Sequence, residues 1–442
     1  MSRESAGGEP LLFIGTCDLA AITRGRTIRG EDAARRARTG VGWVPANLGL
    51  TTFGPIATPN PFGTLGDLRL IPVESTRVRL PASGGRPPLD VVLGDLVHPD
   101  GWPWSCDPRR ALLDAVAHLE ERTGLRLKVA FEQELTLEGV AGDGAPFSIE
   151  AMRAAEPFGS ELVRVLHDNG LAPETWLPEY GHGQYELTME PTDPVTAADR
   201  AILSRLIVKD LAVAHGLRAV FSPLVRPDAV GNGTHVHLSL WDAHDRPVTL
   251  DPESLELSGV AARFAAGILA HASALIGWTA SSVISSIRLQ PGRWSAGGAF
   301  LGRQNREALL RLCPLPSVAG GRPPLEAANL EFRAVDATAN PWLVMAALIR
   351  AGADGVERGL AAPPVVDGEV DALSAEERAR LGIVPLPGDM EAALAAIETD
   401  TAARGWFAED LVTTHLAVRR SERTQLAGVS PEEACRRYAA VI

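Results

Sequence analysis

Glu132 and Glu134 stand at i and i+2 in the run V-A-F-E-Q-E-L-T-L, inside a stretch that otherwise alternates like a β-strand. In such a strand Leu127, Val129 and Phe131 project to one side and the two glutamates to the other. Carboxylates are depleted in strands, and two on one face repel each other. A divalent cation is the simplest source of the positive charge they require.

Three further segments repeat the pattern. In G-Q-Y-E-L-T-M-E, residues Gln184, Glu186 and Glu190 share one face while Tyr185, Leu187 and Met189 share the other. In G-N-G-T-H-V-H-L-S-L-W, residues His235, His237 and Ser239 alternate with Val236, Leu238 and Leu240. In N-L-E-F-R-A-V-D, residues Glu331 and Arg333 alternate with Leu330, Phe332 and Ala334. A sheet with one wet face ordinarily carries Thr, Ser and Lys there. Recurrent Glu and His point instead to a metal-binding wall with room for two cations. Carboxylates joined by an imidazole suit Mg²⁺ or Mn²⁺ better than Ca²⁺ or structural zinc. Gly231 and Gly233, just before His235, let a ligand approach the backbone closely.

Arginines supply the opposite charge. Arg303, Arg306 and Arg311 lie in G-R-Q-N-R-E-A-L-L-R, and Arg288 opens R-L-Q-P-G. Their forked guanidinium groups bind phosphate and carboxylate in two-point contacts, and beside paired metals they suggest a polyphosphate clamp. The chain contains neither a G-x-x-x-x-G-K-[ST] loop nor a kinase-type glycine loop followed by lysine. A nucleotide would therefore be held by other means.

These residues need elements to position them. Residues 1–104 are rich in Gly and Pro with short β-like runs at 11–14, 68–73 and 90–93, which predicts a small, mainly β unit. Asp107, Pro108 and Gly124 read as the cap, first turn and terminator of a helix. Beyond it, polar-faced strands alternate with helices, the clearest at 161–168, 197–215 and 258–275. The apolar run 264–280 contains His271 and lies between Arg263 and Arg288, which predicts a buried core helix and not a membrane span. The end of the chain from Met390 reads as helical.

With 442 residues, 45% apolar and 22% charged, the chain reads as a soluble globular protein of two or three domains. A net charge of −13 argues against a nucleic-acid or anionic-membrane partner. Its four cysteines are far apart and form no C-x-x-C pair. The N-terminus M-S-R-E-S-A-G-G-E-P lacks the apolar core of a signal peptide, so a reduced, cytoplasmic protein is expected.

In order, and over nearly the whole chain, these segments resemble the glutamine synthetase superfamily. The motifs are E-x-E at 132–134, the G-x-G lead into H-x-H at 235–237, R-L-x-P-G from 288, N-R-x4-R from 305, and E-x-R at 331–333 followed by A-N-P. The resemblance implies an α+β protein. Its N-terminal β-grasp domain would span 1–104. Its catalytic domain, 105–442, would have a curved, mainly antiparallel sheet flanked by helices. The resemblance also implies ATP, two or three Mg²⁺ or Mn²⁺ ions, and a homo-oligomeric double ring with active sites between neighbouring subunits. Glutamate would be phosphorylated to an acyl phosphate and an amine would then form the amide. Carried over motif by motif, Glu134, Glu179 and Glu186 would hold one metal and Glu132, His235 and Glu331 the other. Arg288 and Arg333 would grip the α-carboxylate, with the Gly231 backbone beside the amino acid. Arg306 and Arg311 would hold the phosphates, and His237 and Ser239 would line the nucleotide.

Two departures bear on the amine. Trp294, in P-G-R-W-S, stands where ammonia-using members carry a glutamate. The stretch F-G-P-I-A-T-P-N-P-F lacks the acid expected from the N-terminal domain, which leaves Asp67 as a candidate acid offered by the neighbouring subunit. Both changes, and the opening C-D-L-A-A-I-T-R-G-R, resemble the γ-glutamyl–amine ligases, the γ-glutamylmethylamide and γ-glutamylpolyamine synthetases. An organic amine is therefore the expected substrate in place of ammonia. The alternatives are ordinary glutamine synthesis and a non-catalytic relative, although a non-catalytic chain would be expected to lose metal ligands that are all present here.

Overall fold

The computed structural model describes residues 10–442 except 143, 316–320, 322 and 371; the polar residues 1–9 lie outside the described part. The first six strands are β1 (Leu11–Cys17), β2 (Thr23–Arg29), β3 (Val41–Trp43), β4 (Leu68–Pro72), β5 (Val78–Leu80) and β6 (Leu89–Val97). Among the described residues they form one sheet in the order β2-β1-β6-β4-β3, with β5 on β6. β1 and β6 run parallel and the other neighbours antiparallel. The helix Ala33–Thr39 packs against β4. This is the expected β-grasp unit.

The second sheet contains β7 (Arg126–Glu138), β8 (Pro173–Pro178), β9 (Gln184–Met189), β10 (Arg218–Val220), β11 (Thr234–Trp241), β12 (Gly298–Arg303), β13 (Ala308–Leu312), β14 (Leu330–Phe332) and β15 (Val365–Val366). Its order is β15-β12-β13-β14-β11-β7-β9-β8, with β10 on β7. It is antiparallel except where β12 meets β13 and β15. One face is packed by helices, of which Pro194–Ala214 lies on β7. Behind it, Pro341–Glu357 is surrounded by other helices, so its run Trp342–Ile349 is buried all round.

The expected helix after Asp107 forms as Pro108–Thr123. The Asp107 carboxylate accepts from the Arg109 N–H, and Gly124 ends the helix at φ 69°. The expectation of one continuous helix at 258–275 is corrected. The chain forms Gly259–Ala270 and Ala272–Thr279, bent by 73° at His271. The His271 ring is tied at the corner to Asp354 (2.9 Å) and Asp400 (2.6 Å), polar anchors that a straight apolar helix could not reach. Phe264, Ile268, Leu275 and Trp278 of this bent pair are buried in the core. Among the described residues no single helix is long and apolar enough to cross a membrane.

Two buried polar groups hold the sheet and the domains in place. Period-2 alternation would put an apolar residue at 133, on the core face of β7. Gln133 instead donates to the Ser204 hydroxyl and accepts from Arg205 Nε, both at 2.7 Å. At the domain junction, fully buried Arg419 pairs with Glu422 at 3.0 Å and donates to the Thr338 carbonyl. Glu422 in turn accepts from the backbone N–H and hydroxyl of Thr52. A buried network of this kind fixes one arrangement, because sliding the domains would strand charges without partners.

Candidate active site

Strand register assembles the site. Glu132 lies directly across from His235 on β11, and Glu134 across from Glu186 on β9. Glu331 on β14 lies across from His237 on β11 and from Arg311 on β13. Residues directly opposite have Cβ atoms only about 5 Å apart, so pairing alone converges residues far apart in sequence. Ligand atoms of Glu132, His235 and Glu331 lie within 4.8 Å of one another, as do those of Glu134, Glu186 and His235. His235 therefore stands between two clusters. The carried-over partner of Glu134 and Glu186 was Glu179, which lines the same cavity just after β8 but is outside that tight triad. Glu190 follows the end of β9, is exposed, and does not join the site.

The donor chemistry fits hard divalent cations: carboxylate oxygens and one imidazole, with neighbouring acids to spare. The clusters cannot hold their full charge unaided. Burial first, then Glu132, Glu134 and Glu179, push Glu186 up to about 9. Burial and Glu134 push Glu179 up to about 7. Glu331 is the opposite case. Burial disfavours its charge, yet Arg333, His235 and His237 together hold it down at about 2. The uncompensated acids thus concentrate on the Glu134–Glu186 side.

Gly233 is what lets the pieces close. A Cβ there would meet Arg288 Nη2 at 2.5 Å and His235 Nε2 at 2.6 Å; one at Gly231 would meet Arg288 Cγ at 2.9 Å. Gly233→Ala should therefore displace the imidazole and weaken divalent-cation binding by about tenfold or more, the scale seen when a ligand's orientation is disturbed. Titration with Mn²⁺ measures it, and unchanged affinity would show that His235 tolerates the shift. The glycine loop is itself held by Gln184, which donates to the Gly231 carbonyl at 2.9 Å and to the Asn232 side chain at 3.0 Å.

The arginines divide differently from the sequence expectation. Arg288 is buried and its Nη1 has no partner among the described residues, as expected of a group awaiting an anion. Arg333 is instead engaged within the protein. It pairs with Glu331 and donates to the carbonyls of Trp294 (2.8 Å), Ser295 (3.2 Å) and Arg306 (2.9 Å). Its geometry is that of a strut for the 294–306 segment more than of a free carboxylate clamp. Arg306 lies exposed in the β12–β13 turn and faces the cavity. Arg311 is drawn onto Glu331 at 2.7 Å, so the two do not form a side-by-side pair. Arg303 points elsewhere, to Glu256 and Asp367.

A cavity of about 640 Å³ joins the carboxylate clusters, Arg288 and the Gly231 backbone to an aromatic flank. Trp294 meets Tyr180 edge-on at 5.6 Å, and Tyr180 meets Phe147 edge-on at 4.9 Å. Tyr180 and Phe147 carried no signal in the strand pattern, since both lie in connecting segments. A smaller cavity of about 220 Å³ lies on the far side of Glu132 and is lined by His237, Ser239 and Lys128. There His237 lies 3.2 Å from Glu132 and 2.8 Å from the Asn329 side chain. The Ser239 hydroxyl accepts from the Trp241 indole at 2.9 Å. Asp67 is exposed in the first domain and does not line either cavity of its own chain.

Two families match this sequence. The glutamine synthetase catalytic domain matches residues 105–438 and the glutamine synthetase N-terminal domain residues 8–104. The chain belongs to the glutamine synthetase family. The γ-glutamylpolyamine synthetase GlnA3 of Streptomyces coelicolor is 31% identical over 431 residues, covering 95% of this chain and 91% of that protein. The glutamine synthetase of Methanocaldococcus jannaschii is 30% identical, covering 80% of this chain and 79% of that protein. A solved glutamine synthase homolog superposes with a TM-score of 0.91 at 41% identity, covering the whole of both chains. The glutamine synthetase family uses ATP and divalent metal ions, and this member is an ATP-dependent ligase that forms a C–N bond.

Proposed function

We propose that the protein joins the γ-carboxylate of glutamate to an organic primary amine, coupled to conversion of ATP to ADP and phosphate. The observation that carries this reading is the aromatic flank of Trp294 and Tyr180, set beside the carboxylate clusters and within the same cavity as Arg288. An ammonium ion is small and cationic and calls for acids around it. An aromatic wall offers contact to a carbon chain instead, or a cation–π contact to an alkylammonium.

In this reading Arg288 holds the amino acid's α-carboxylate, with the Gly231 backbone alongside and Arg333 bracing the loop above. The nucleotide enters by the His237–Ser239 chamber, and Arg306 and Arg311 face its phosphates. Glu134, Glu179, Glu186, Glu132, His235 and Glu331 would hold the cations, which supply charge neutralisation for phosphoryl transfer. The γ-carboxylate oxygen attacks the terminal phosphorus, and the bond to the bridging oxygen breaks to release ADP. The amine nitrogen then attacks the acyl carbon, phosphate leaves with the C–O bond electrons, and the nitrogen gives up a proton. A homo-oligomer, with Asp67 contributed by a neighbouring subunit, completes the proposal.

Phosphate release measured with ammonium, methylamine, ethanolamine and putrescine tests this reading. An organic amine should exceed ammonium in kcat/KM by at least about tenfold, a difference of roughly 1.4 kcal/mol. Preference for ammonium overturns it. Trp294→Glu should move the preference toward ammonium, and an unmoved ratio would place Trp294 outside the amine pocket.

A further inference from the structure

Trp294 has a positive φ of 54°, a conformation that a bulky L-residue seldom adopts without being held there. The holding groups are visible. The Glu307 carboxylate accepts from the Trp294 N–H at 2.6 Å through one oxygen and from the Gly292 N–H at 3.2 Å through the other. Arg333 donates to the Trp294 carbonyl at 2.8 Å. The peptide units on both sides of the residue are therefore clamped, and the side chain projects into the cavity with 59% of its surface exposed. Tyr180 and Phe147, in edge-on contact in series, are 53% and 50% exposed on the same flank. Large aromatic surfaces left open in a row are a ready partner for apolar substrate surface.

The charges on this flank are equally informative. Arg293 reaches across it to donate to the carbonyls of Pro227 (2.7 Å) and Ala229 (3.4 Å). Among the described residues lining the cavity, the only carboxylate not assigned above to a cation is Asp228, 3.4 Å from Arg226. A second ammonium group on the substrate would meet the Arg293 guanidinium, with the nearby acids either paired with Arg226 or assigned to the cations.

We infer that Glu307 is a positioning residue that fixes Trp294, and that the wall so formed selects a primary monoamine with an apolar substituent over diamines and polyamines. This rests on the organic-amine reading above and narrows it. n-Butylamine and putrescine differ at the far end by one ammonium group, so they isolate the second charge. The wild-type enzyme should show at least about tenfold higher kcat/KM for n-butylamine. Glu307→Ala should raise KM for n-butylamine about tenfold while KM for ATP and glutamate stays within about twofold, and Glu307→Gln, which keeps one accepting oxygen, should recover part of the loss. Equal or better use of putrescine overturns the inference and leaves the organic-amine reading standing; preference for ammonium overturns both. If Glu307→Ala does not fold, the wild-type amine comparison and the Glu307→Gln KM values still decide. A rise of all three KM values together, or none, shows that Glu307 does not position the amine wall.

Discussion

Glu134→Ala is expected to lower kcat by at least about 1,000-fold, a loss near 4 kcal/mol of transition-state stabilisation. Glu134 faces Glu186 across the strand pair and shares a triad with His235. Without it, that cluster keeps Glu186 and His235, with Glu179 outside the tight triad, too sparse a set to hold a hard divalent cation firmly. Mn²⁺ titration should show one site lost or strongly weakened. Stability in the presence of chelator should not fall, because the mutation removes a repelling charge from a group of crowded acids. Near-normal turnover would show the cation ligands to be wrongly assigned. A fall in both activity and chelator-treated stability would instead indicate that the Glu134–Gly233 hydrogen bond is a structural tie.

The second large effect is expected at Arg288. Arg288→Ala should lower kcat/KM for the amino acid by about 100- to 1,000-fold, in line with about 3 to 4 kcal/mol for a buried two-point charge contact. Its guanidinium is buried with Nη1 unpartnered among the described residues and Nη2 only 3.4 Å from the Arg333 carbonyl, so a bound acid would supply the contacts it lacks. KM for ATP should change little. Arg288→Lys should recover only a small part of the loss, since an ammonium lacks the planar fork. Calorimetry with the amino acid alone separates binding from turnover, and unchanged affinity would assign Arg288 to scaffolding. Arg333 provides a useful contrast. Its hydrogen bonds hold Trp294, Ser295 and Arg306, so its loss should disturb the amine side of the cavity along with the acid side.

Much of the wall of carboxylates and imidazoles was legible because a strand turns spacing directly into facing. Glu132 with Glu134, and His235 with His237, could share a face only if their segments were extended, and both segments carry alternate apolar residues that require it. Helix ends were legible where a side chain acts on its own backbone, as at Asp107 and Gly124. The bend at His271 was not. It depends on Asp354 and Asp400, which come from distant segments, and the apolar run on either side reads the same whether straight or broken. Gln133 shows the same limit, since a polar residue on a core face makes sense only once Ser204 and Arg205 are seen beneath it.

The amino-acid sequence by itself determined the secondary structure of the four polar-faced strands, the kinds of atom they present and, through motif order, the family. These follow from local backbone periodicity and side-chain chemistry, which need no knowledge of neighbours. Only the tertiary structure decided which acids and imidazoles converge within ligand distance of one another, that Arg333 braces a loop while Arg288 keeps a nitrogen without a partner among the described residues, and that Phe147 and Tyr180 extend the wall begun by Trp294. Those are relations between segments up to about two hundred residues apart. They are set by strand register and loop anchoring, which depend on the summed packing of the whole sheet and not on any one stretch of chain.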